Sequence, residues 1–283
     1  MSPPRRSFLS RLVPPPWRAK VPLIPVIRLN GTIGAVTPLR TGLSLSSMNE
    51  VLERAFQRKG IAAVALAINS PGGSAVQASL IAARIRELAL RHELRVLTFV
   101  EDVAASGGYW LACAGDEIYA DSSSIVGSIG VVSAGFGFVE AIRKLGIERR
   151  VHTAGENKAI LDPFRPERPE DVERLKALQL DVHEEFKTVV RDRRAGRLKE
   201  DHPDLFTGAF WSGRRALELG LIDGIGTMHQ ILKERYGEEV VLKVMERSQA
   251  LWWRRLFPFG NPAPHEAVIE AIETRILMSR FGL

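Results

Sequence analysis

Ser106 is the residue whose surroundings most directly suggest chemistry. It stands between two alanines and two glycines in residues 104–110, Ala-Ala-Ser-Gly-Gly-Tyr-Trp, just after the apolar run 96–100. Alanines leave space around a neighbouring side chain, and glycines allow a tight backbone close to a ligand. An acyl-transfer enzyme needs its nucleophile on such a turn between a strand and a helix, beside backbone N–H groups that bind an oxyanion. The same composition also fits a packed turn whose small residues only permit close contact.

A second glycine turn lies upstream and favours the functional interpretation. The apolar run 61–68 is typical of a buried strand, and it ends in residues 69–74, Asn-Ser-Pro-Gly-Gly-Ser. A helical stretch follows over residues 75–90, so the chain from 61 to 110 predicts a βαβ unit with both turns at the same end of a sheet. Ligands bind at the carboxyl ends of strands in such sheets. The second turn lacks the GxxxxGK[ST] and GxGxxG patterns, which argues against nucleotide binding.

Three motifs together resemble those of a known family. Residues 68–73 (Ile-Asn-Ser-Pro-Gly-Gly), 105–110 (Ala-Ser-Gly-Gly-Tyr-Trp) and 126–131 (Val-Gly-Ser-Ile-Gly-Val) are similar to the motifs of SppA-type signal peptide peptidases. These are serine proteases with a Ser–Lys dyad. The resemblance covers about residues 23–235 and implies an α/β Clp/crotonase-like fold, a repeated ββα superhelix, with a C-terminal helical region.

The resemblance also implies which residue is the base. Lys158 matches the family's lysine, within a segment similar to residues 153–164. A lysine can act as a base near neutral pH only when its pKa falls well below about 10.4. The apolar residues 159–161 can provide a low-dielectric wall that lowers the pKa of Lys158, whereas the negative charge of Glu156 opposes this shift. Ser128 matches a serine whose hydroxyl hydrogen-bonds the lysine in the family, although it could also be a turn serine that satisfies local backbone groups.

A histidine offers a rival base. His152 lies six positions before Lys158 in the strand-like residues 148–153, and related Clp-type proteases use a Ser-His-Asp triad on the same scaffold. We favour Lys158, because His152 stands between basic neighbours and could simply face solvent. The remaining histidines lie among charged residues, and we expect them at the surface: His92, His183, His202, His229 and His265.

The expected chemistry is acyl transfer to a serine. Ser106 would attack a peptide carbonyl while Lys158 takes up its proton and later gives it to the leaving amine. The N–H groups of Gly107 and Gly73 would bind the oxyanion, with Gly72 as the alternative to Gly73. This chemistry needs no cofactor and no metal.

The composition is that of an ordinary globular protein without a disulfide framework. The chain has 283 residues, 45% of them hydrophobic and 25% charged, as in an ordinary globular protein. Its single cysteine, Cys113, excludes a disulfide framework within the chain and a zinc site built from several thiols. The net charge of +6 suits anionic lipid surfaces, and no motif supports nucleic-acid binding.

The chain divides into three expected parts. Residues 1–22 read as a flexible basic arm whose prolines and arginines prevent it from spanning a bilayer, residues 23–235 as the peptidase core, and residues 236–283 as a C-terminal extension. Two tryptophans and two arginines stand side by side in residues 251–259, which suits either a membrane surface or another subunit. We expect a cytoplasmic protein without a transmembrane segment, and peripheral contact with the inner membrane stays open.

Several elements are expected within the core and beside it. Short strands are predicted at residues 117–120 and 130–133, a helix at 135–145 that packs its apolar residues together, and a long amphipathic helix at 170–194. One copy of the core motifs implies, by the resemblance, a ring-shaped or dome-shaped homo-oligomer. Whether the dyad forms within or between subunits stays open.

The function that these observations favour is a serine endopeptidase with a Ser–Lys dyad. Its expected substrates are signal-peptide remnants or other unfolded apolar peptides. Two alternatives remain, a catalytically silent scaffold of the same fold and a crotonase-type acyl-CoA enzyme. The latter would more often use a carboxylate as acid or base, and Glu101 and Asp102 stand just before the serine turn.

Overall fold

The centre of the fold is a mostly parallel sheet. The computed structural model describes residues 21–34, 36–37, 40–246 and 281. In this part of the chain the strands follow the order β10-β1-β4-β5-β6-β9, and β7 pairs with β5 and, antiparallel, with β8. The bounds of the elements are β1 Leu23–Asn30, β2 Val36–Thr37, β3 Arg40–Thr41, α1 Leu45–Phe56, β4 Val64–Ser70, α2 Ala75–Arg91, β5 Val96–Ala105, α3 Gly107–Ala112, β6 Glu117–Ala120, β7 Ile125–Gly127, α4 Val139–Lys144, α5 Pro169–Arg193, β8 Phe210–Ser212, α6 Gly213–Glu218, β9 Gly224–Ile225, α7 Met228–Tyr236 and β10 Val241–Met245.

The predicted βαβ unit is confirmed. Strands β4 and β5 pair in parallel through α2, so the turns that follow them lie at the same end of the sheet. Both strands are buried over most of their length, because helices α1, α2 and α3 cover one face and α7 covers part of the other. Helix α2 begins directly after the glycine turn, where the hydroxyl of Ser74 accepts a hydrogen bond from the N–H of Gln77. The expected α/β class is therefore confirmed.

The long amphipathic helix is also confirmed. Helix α5 has 25 residues, and Pro169 occupies its first turn, where a proline costs no hydrogen bond. Only three of its residues are buried, Asp171, Phe186 and Val190. The N-terminal part of α5 thus meets the rest of the described chain along little of its surface.

Two expected elements between residues 130 and 145 differ from the structure. Residues 130–133 form no strand, because β7 already ends at Gly127 and the backbone of Gly130 then passes against Gly208. The expected helix 135–145 shortens to α4, and none of its residues is buried. Phe138 and Leu145 are exposed rather than packed into a core. The apolar pattern of residues 135–145 predicts a buried helix, but the described residues do not bury it.

The sheet extends beyond the expected core boundary at residue 235. Strand β10 pairs in parallel with β1, so the first residues of the expected C-terminal extension form an edge strand. Residues 1–20, 247–280 and 282–283 lie outside the described part, and with them most of the basic arm, the expected C-terminal helical region and the tryptophan-rich segment. Among the described helices, none combines the length and the apolar character that crossing a bilayer demands.

Candidate active site

Ser106 occupies a strained position between β5 and α3. Its backbone has φ 51° and ψ −124°, a conformation that costs a non-glycine residue of the order of 1–3 kcal/mol. Two kinds of hydrogen bond hold it there: its N–H donates to the carbonyl of Gly127 at 2.8 Å, and its carbonyl accepts from Tyr109 at 2.9 Å and Trp110 at 3.1 Å. Strained backbone conformations cluster at functional sites. Here the strained backbone fixes the direction of a serine side chain at the carboxyl end of β5.

The turn after β4 packs directly against this serine. A Cβ atom on Gly72 would lie 2.8 Å from the Cβ of Ser106, so no side chain fits between them. Ile33 holds the turn from the other side, because its N–H donates to the carbonyl of Gly72 and its carbonyl accepts from Ser74. A Cβ on Gly73 would lie only 2.1 Å from the Ile33 carbonyl oxygen, and φ there is +138°. Both glycines are therefore required by geometry.

Two backbone N–H groups in these turns are free to bind an oxyanion. Within the described residues, neither the N–H of Gly73 nor that of Gly107 donates a hydrogen bond. The turns meet closely, since a Cβ on Gly107 would lie 3.5 Å from the nitrogen of Gly73. The N–H of Gly72, by contrast, donates to the hydroxyl of Ser70 at 3.3 Å. Of the two glycines considered for the second donor, Gly73 has the available N–H.

A pocket of about 710 Å³ opens in front of Ser106. Its floor consists of the two glycine turns, and Ser128 faces it from the segment after β7. One wall is the segment of residues 130–133, and the other is a stripe of α5. The stripe repeats at helical spacing and is mostly apolar: Leu175, Leu178, Gln179, Val182 and Phe186. The structure thus brings four predicted site residues to one pocket: Ser106, Gly73, Gly107 and Ser128.

The two candidate bases lie elsewhere. Lys158 and His152 are both exposed, and neither lines the pocket of this protomer. They belong to residues 131–168, which contain α4. We call this segment the arm; it is distinct from the basic arm expected at residues 1–22. The arm exposes large apolar side chains: Val132, Phe136, Leu145 and Ile147 are between 55% and 81% exposed. Within one copy, the structure does not bring Lys158 to Ser106.

The groups that other chemistries would recruit are not in the pocket. Glu101 and Asp102, the carboxylates considered for an acyl-CoA enzyme, do not line it, and the Asp102 carboxylate accepts a hydrogen bond from Asn69 at 2.6 Å. Burial raises the pKa of the Cys113 thiol to about 12, so this cysteine stays protonated and is a poor nucleophile. Ser106 is therefore the best-placed nucleophile among the residues that line the pocket.

Helix α5 braces α3, the helix that follows Ser106, as well as forming a wall of the pocket. The ring of Phe186 stacks on Trp110 of α3 with 4.8 Å between centroids. Arg193 donates to the carbonyls of Cys113 and Gly115, both at 2.9 Å, just beyond the end of α3. His183, expected at the surface, is instead half-buried on the face of α5 that also carries Phe186. Its distance of three residues from Phe186 along the helix is the signal that could have placed it there.

The comparisons with known proteins now decide the family. Residues 89–241 match the model of peptidase family S49, a stretch that begins in α2 and ends at the start of β10. The chain belongs to peptidase family S49. This membership agrees with the motifs of the sequence and with the Clp/crotonase-like fold that the resemblance implied.

Individual relatives extend the comparison. The chain is 31% identical to the chloroplastic serine protease SPPA of Arabidopsis thaliana, over 74% of this chain and 31% of that protein. It is 57% identical to proteins of Brucella abortus and Brucella melitensis that carry the name Na(+)/H(+) antiporter NhaA, over 98% of this chain and 39% of each of them. The chain thus spans well under half the length of these three relatives. The matched part of the two Brucella proteins covers almost all of this chain, and therefore includes the residues of the S49 match.

Proposed function

We propose that this S49 member is a serine endopeptidase that uses Ser106 as nucleophile and Lys158 as general base. The observation that carries the proposal is the site in front of Ser106. A serine held at φ 51° faces a pocket in which the N–H groups of Gly73 and Gly107 are free. A nucleophile with two preorganised donors beside it is what acyl transfer requires.

The proposed reaction has two steps. The Ser106 oxygen attacks the carbonyl carbon of a peptide bond as its proton passes to the neutral amine of Lys158, and the Gly73 and Gly107 N–H groups bind the oxyanion. The C–N bond then breaks, and Lys158 returns the proton to the leaving amine. Water, activated by the same amine, hydrolyses the acyl-enzyme and regenerates Ser106. Ser128, which also faces the pocket, would orient the amine by a hydrogen bond.

We further propose that Lys158 enters the site from a second copy of the chain. Lys158 is exposed and lies outside the pocket of its own protomer, on an arm whose apolar side chains have little cover in the described structure. Several large exposed apolar side chains within one segment favour an interface with another copy. Contact with another copy would remove the lysine from water, which favours the neutral amine that a base needs.

The proposed substrates are unfolded apolar peptides, including signal-peptide remnants. The pocket between residues 130–133 and the apolar stripe of α5, which includes Leu175, Leu178 and Val182, leaves room for an extended chain. Apolar walls favour apolar side chains because such contacts release water from both surfaces. This inference supports a substrate class rather than a sequence.

The direct test is cleavage of a fluorogenic apolar peptide by the wild type and three variants. Ser106→Ala and Lys158→Ala are expected to abolish cleavage, and His152→Ala is expected to retain it. An active Lys158→Ala with an inactive His152→Ala would assign the base to the histidine instead. A wild type that cleaves nothing between about pH 6 and 10, a range that covers histidine and lysine bases, would favour a silent scaffold.

The origin of the lysine can be tested by mixing inactive variants. Ser106→Ala and Lys158→Ala copies are purified separately, dissociated and reassembled together. If the dyad forms between copies, some interfaces pair an intact serine with an intact lysine, and about a quarter of the wild-type activity returns in a random ring. If the dyad forms within one copy, every mixture stays inactive. Each variant reassembled alone is the control.

A further inference from the structure

One hydrogen bond joins the two walls of the pocket. The Nε2 atom of His183, on α5, lies 3.1 Å from the carbonyl oxygen of Ile129. A carbonyl oxygen only accepts, so Nε2 must carry the proton and donate. His183 is half-buried; Val182 beside it in the sequence and Phe186 one turn further along α5 line the pocket. The bond therefore connects the apolar stripe of α5 with the segment that carries Ser128.

The segment from Gly127 to Gly130 is fixed at several points, and His183 provides the last of them. Gly127 accepts from the N–H of Ser106, Ser128 donates to the carbonyl of Ala209, and the Ile129 side chain is fully buried. Beyond Gly130, residues 131–137 make no hydrogen bond within the described part of the chain. The His183 bond thus lies where the anchored wall ends and the arm begins.

The helix that carries His183, the donor of this hydrogen bond, is also held in place. One turn further along α5, Phe186 stacks on Trp110, which belongs to the helix that starts at the nucleophile. His183 therefore holds Ile129 at a set distance from an element that is itself packed against the nucleophile helix. Among the described residues, no other side chain of α5 hydrogen-bonds the segment 127–133.

We propose that His183 is a positioning residue, which holds Ser128 and the adjoining backbone wall at the distance from Ser106 that catalysis requires. The proposal rests on the proposed function, because Ser128 matters only if it serves the lysine at this site. His183 acts through Ile129 and does not touch the reacting atoms, since it does not line the pocket. Because His183 does not line the pocket, it is not a candidate base.

The test compares two substitutions at the same position. His183→Gln keeps a donor near the place of Nε2, whereas His183→Leu fills similar space without one. We expect His183→Leu to lower kcat about 100-fold with KM unchanged, because displacing groups by about 1 Å costs that much. His183→Gln is expected to restore most of kcat. His229→Leu, the same change at an exposed histidine of α7, is the matched control and should leave both constants unchanged.

Stability is measured beside activity. The Ile129 carbonyl left without a donor should lower the melting temperature of His183→Leu by only about 2–4 °C. Active-site titration then corrects kcat for any inactive fraction. Wild-type kcat in His183→Leu would overturn the proposal, and so would a His183→Gln variant as impaired as His183→Leu, because the effect would then come from packing.

A second measurement does not depend on activity. Hydrogen exchange of the Ser128 amide, which donates to Ala209, should accelerate about tenfold in His183→Leu and stay slow in His183→Gln. If the wild type cleaves no peptide but this difference appears, the proposed function fails while the positioning by His183 stands. Equal exchange in the wild type and both variants would refute the positioning whatever the peptide assay gives.

Discussion

At the scale of single residues, the site depends on backbone geometry more than on side chains. Ser106 and Ser128 are both held at positive φ, 51° and 54°, although neither is a glycine. Each has its N–H bonded to a carbonyl of a neighbouring segment, Gly127 for Ser106 and Ala209 for Ser128. These bonds offset the strain and leave both hydroxyls facing the pocket. A substitution that moves the backbone should therefore matter as much as one that removes a hydroxyl.

Gly73→Ala tests the role of the turn after β4. The added Cβ would clash with the Ile33 carbonyl oxygen at 2.1 Å and must shift the turn, which removes the Gly73 N–H from its place. Losing one oxyanion donor lowers kcat about 10²–10³-fold, and we expect that loss in the peptide assay. Gly31→Ala is the control, because Gly31 also has positive φ, +90°, but has open space around its Cβ position. Equal activity losses in the two variants would show that backbone strain, and not the loss of the Gly73 donor, lowers the activity.

The sequence predicts how the turn of Ser106 meets the turn of Gly73 better than it predicts the surroundings of Lys158. Ser106, Gly73 and Gly107 belong to two short motifs on consecutive parallel strands, so local composition and strand order suffice to bring them together. Lys158 lies on an arm that the described part of its own chain hardly covers. The apolar pattern of the arm predicts burial, and the described residues do not provide the surface that would cover it. His183 was missed because its partner is a backbone carbonyl 54 residues away, which leaves no trace in composition.

At the scale of elements, the end of α5 is held by a buried ion pair. The guanidinium of Arg194, which follows α5 and is 1% exposed, donates to both carboxylate oxygens of Asp223 at 2.6 and 3.1 Å. It also donates to the carbonyl of Gly220. These contacts connect α5 to the segment between α6 and β9, so they hold the helix that forms the pocket wall.

Asp223→Asn is expected to destabilise the fold strongly. The substitution leaves the charge of Arg194 buried without its partner, which costs about 3–5 kcal/mol in the free energy of unfolding. Denaturant titration followed by circular dichroism measures this loss. Glu218→Gln, which removes a pair with Arg215 at an exposed site, is the control and should change the free energy by less than about 1 kcal/mol. A loss below about 1 kcal/mol in Asp223→Asn would contradict the assignment.

The same pair predicts how stability depends on pH. Burial raises the pKa of Asp223, but hydrogen bonds from Arg194 and the Ile118 N–H outweigh it, so the pKa lies below its ordinary value. A carboxyl with a lowered pKa stabilises the fold fully above its unfolded pKa, about 3.9, and this contribution is lost as pH falls through the folded pKa. The stability difference between the wild type and Asp223→Asn should therefore be constant from about pH 5 to 7 and shrink below about pH 4. A difference that grows on acidification would show that the sign is wrong.

Elements were predictable where their partners lie in the same chain. The apolar runs of β4 and β5 and the periodicity of α5 identify these elements because both describe burial against neighbours in this fold. The pattern in residues 135–145 is equally apolar, yet α4 is short and without buried residues. Strand β10 is harder to predict because it lies at the edge of the sheet, where Val241 and Val244 are about half exposed.

At the scale of the whole molecule, the exposed arm leads to a prediction about assembly. If a second copy covers the arm and supplies the lysine, a polar residue within that interface should separate the copies. Leu145→Ser, at a position 73% exposed, is expected to shift the protein toward monomer in sedimentation experiments. Leu90→Ser, at a position 72% exposed at the end of α2, is a matched control that removes the same apolar surface outside the arm.

Activity should follow assembly in the same variant. Because each site would need a lysine from another copy, Leu145→Ser should lose peptide cleavage at low protein concentration and regain it as concentration rises. The wild type and Leu90→Ser should show constant specific activity over that range. A monomeric Leu145→Ser with full activity would mean that Ser106 finds its base within one copy, and the arm would then have to fold back onto the pocket from which the present structure keeps Lys158 apart.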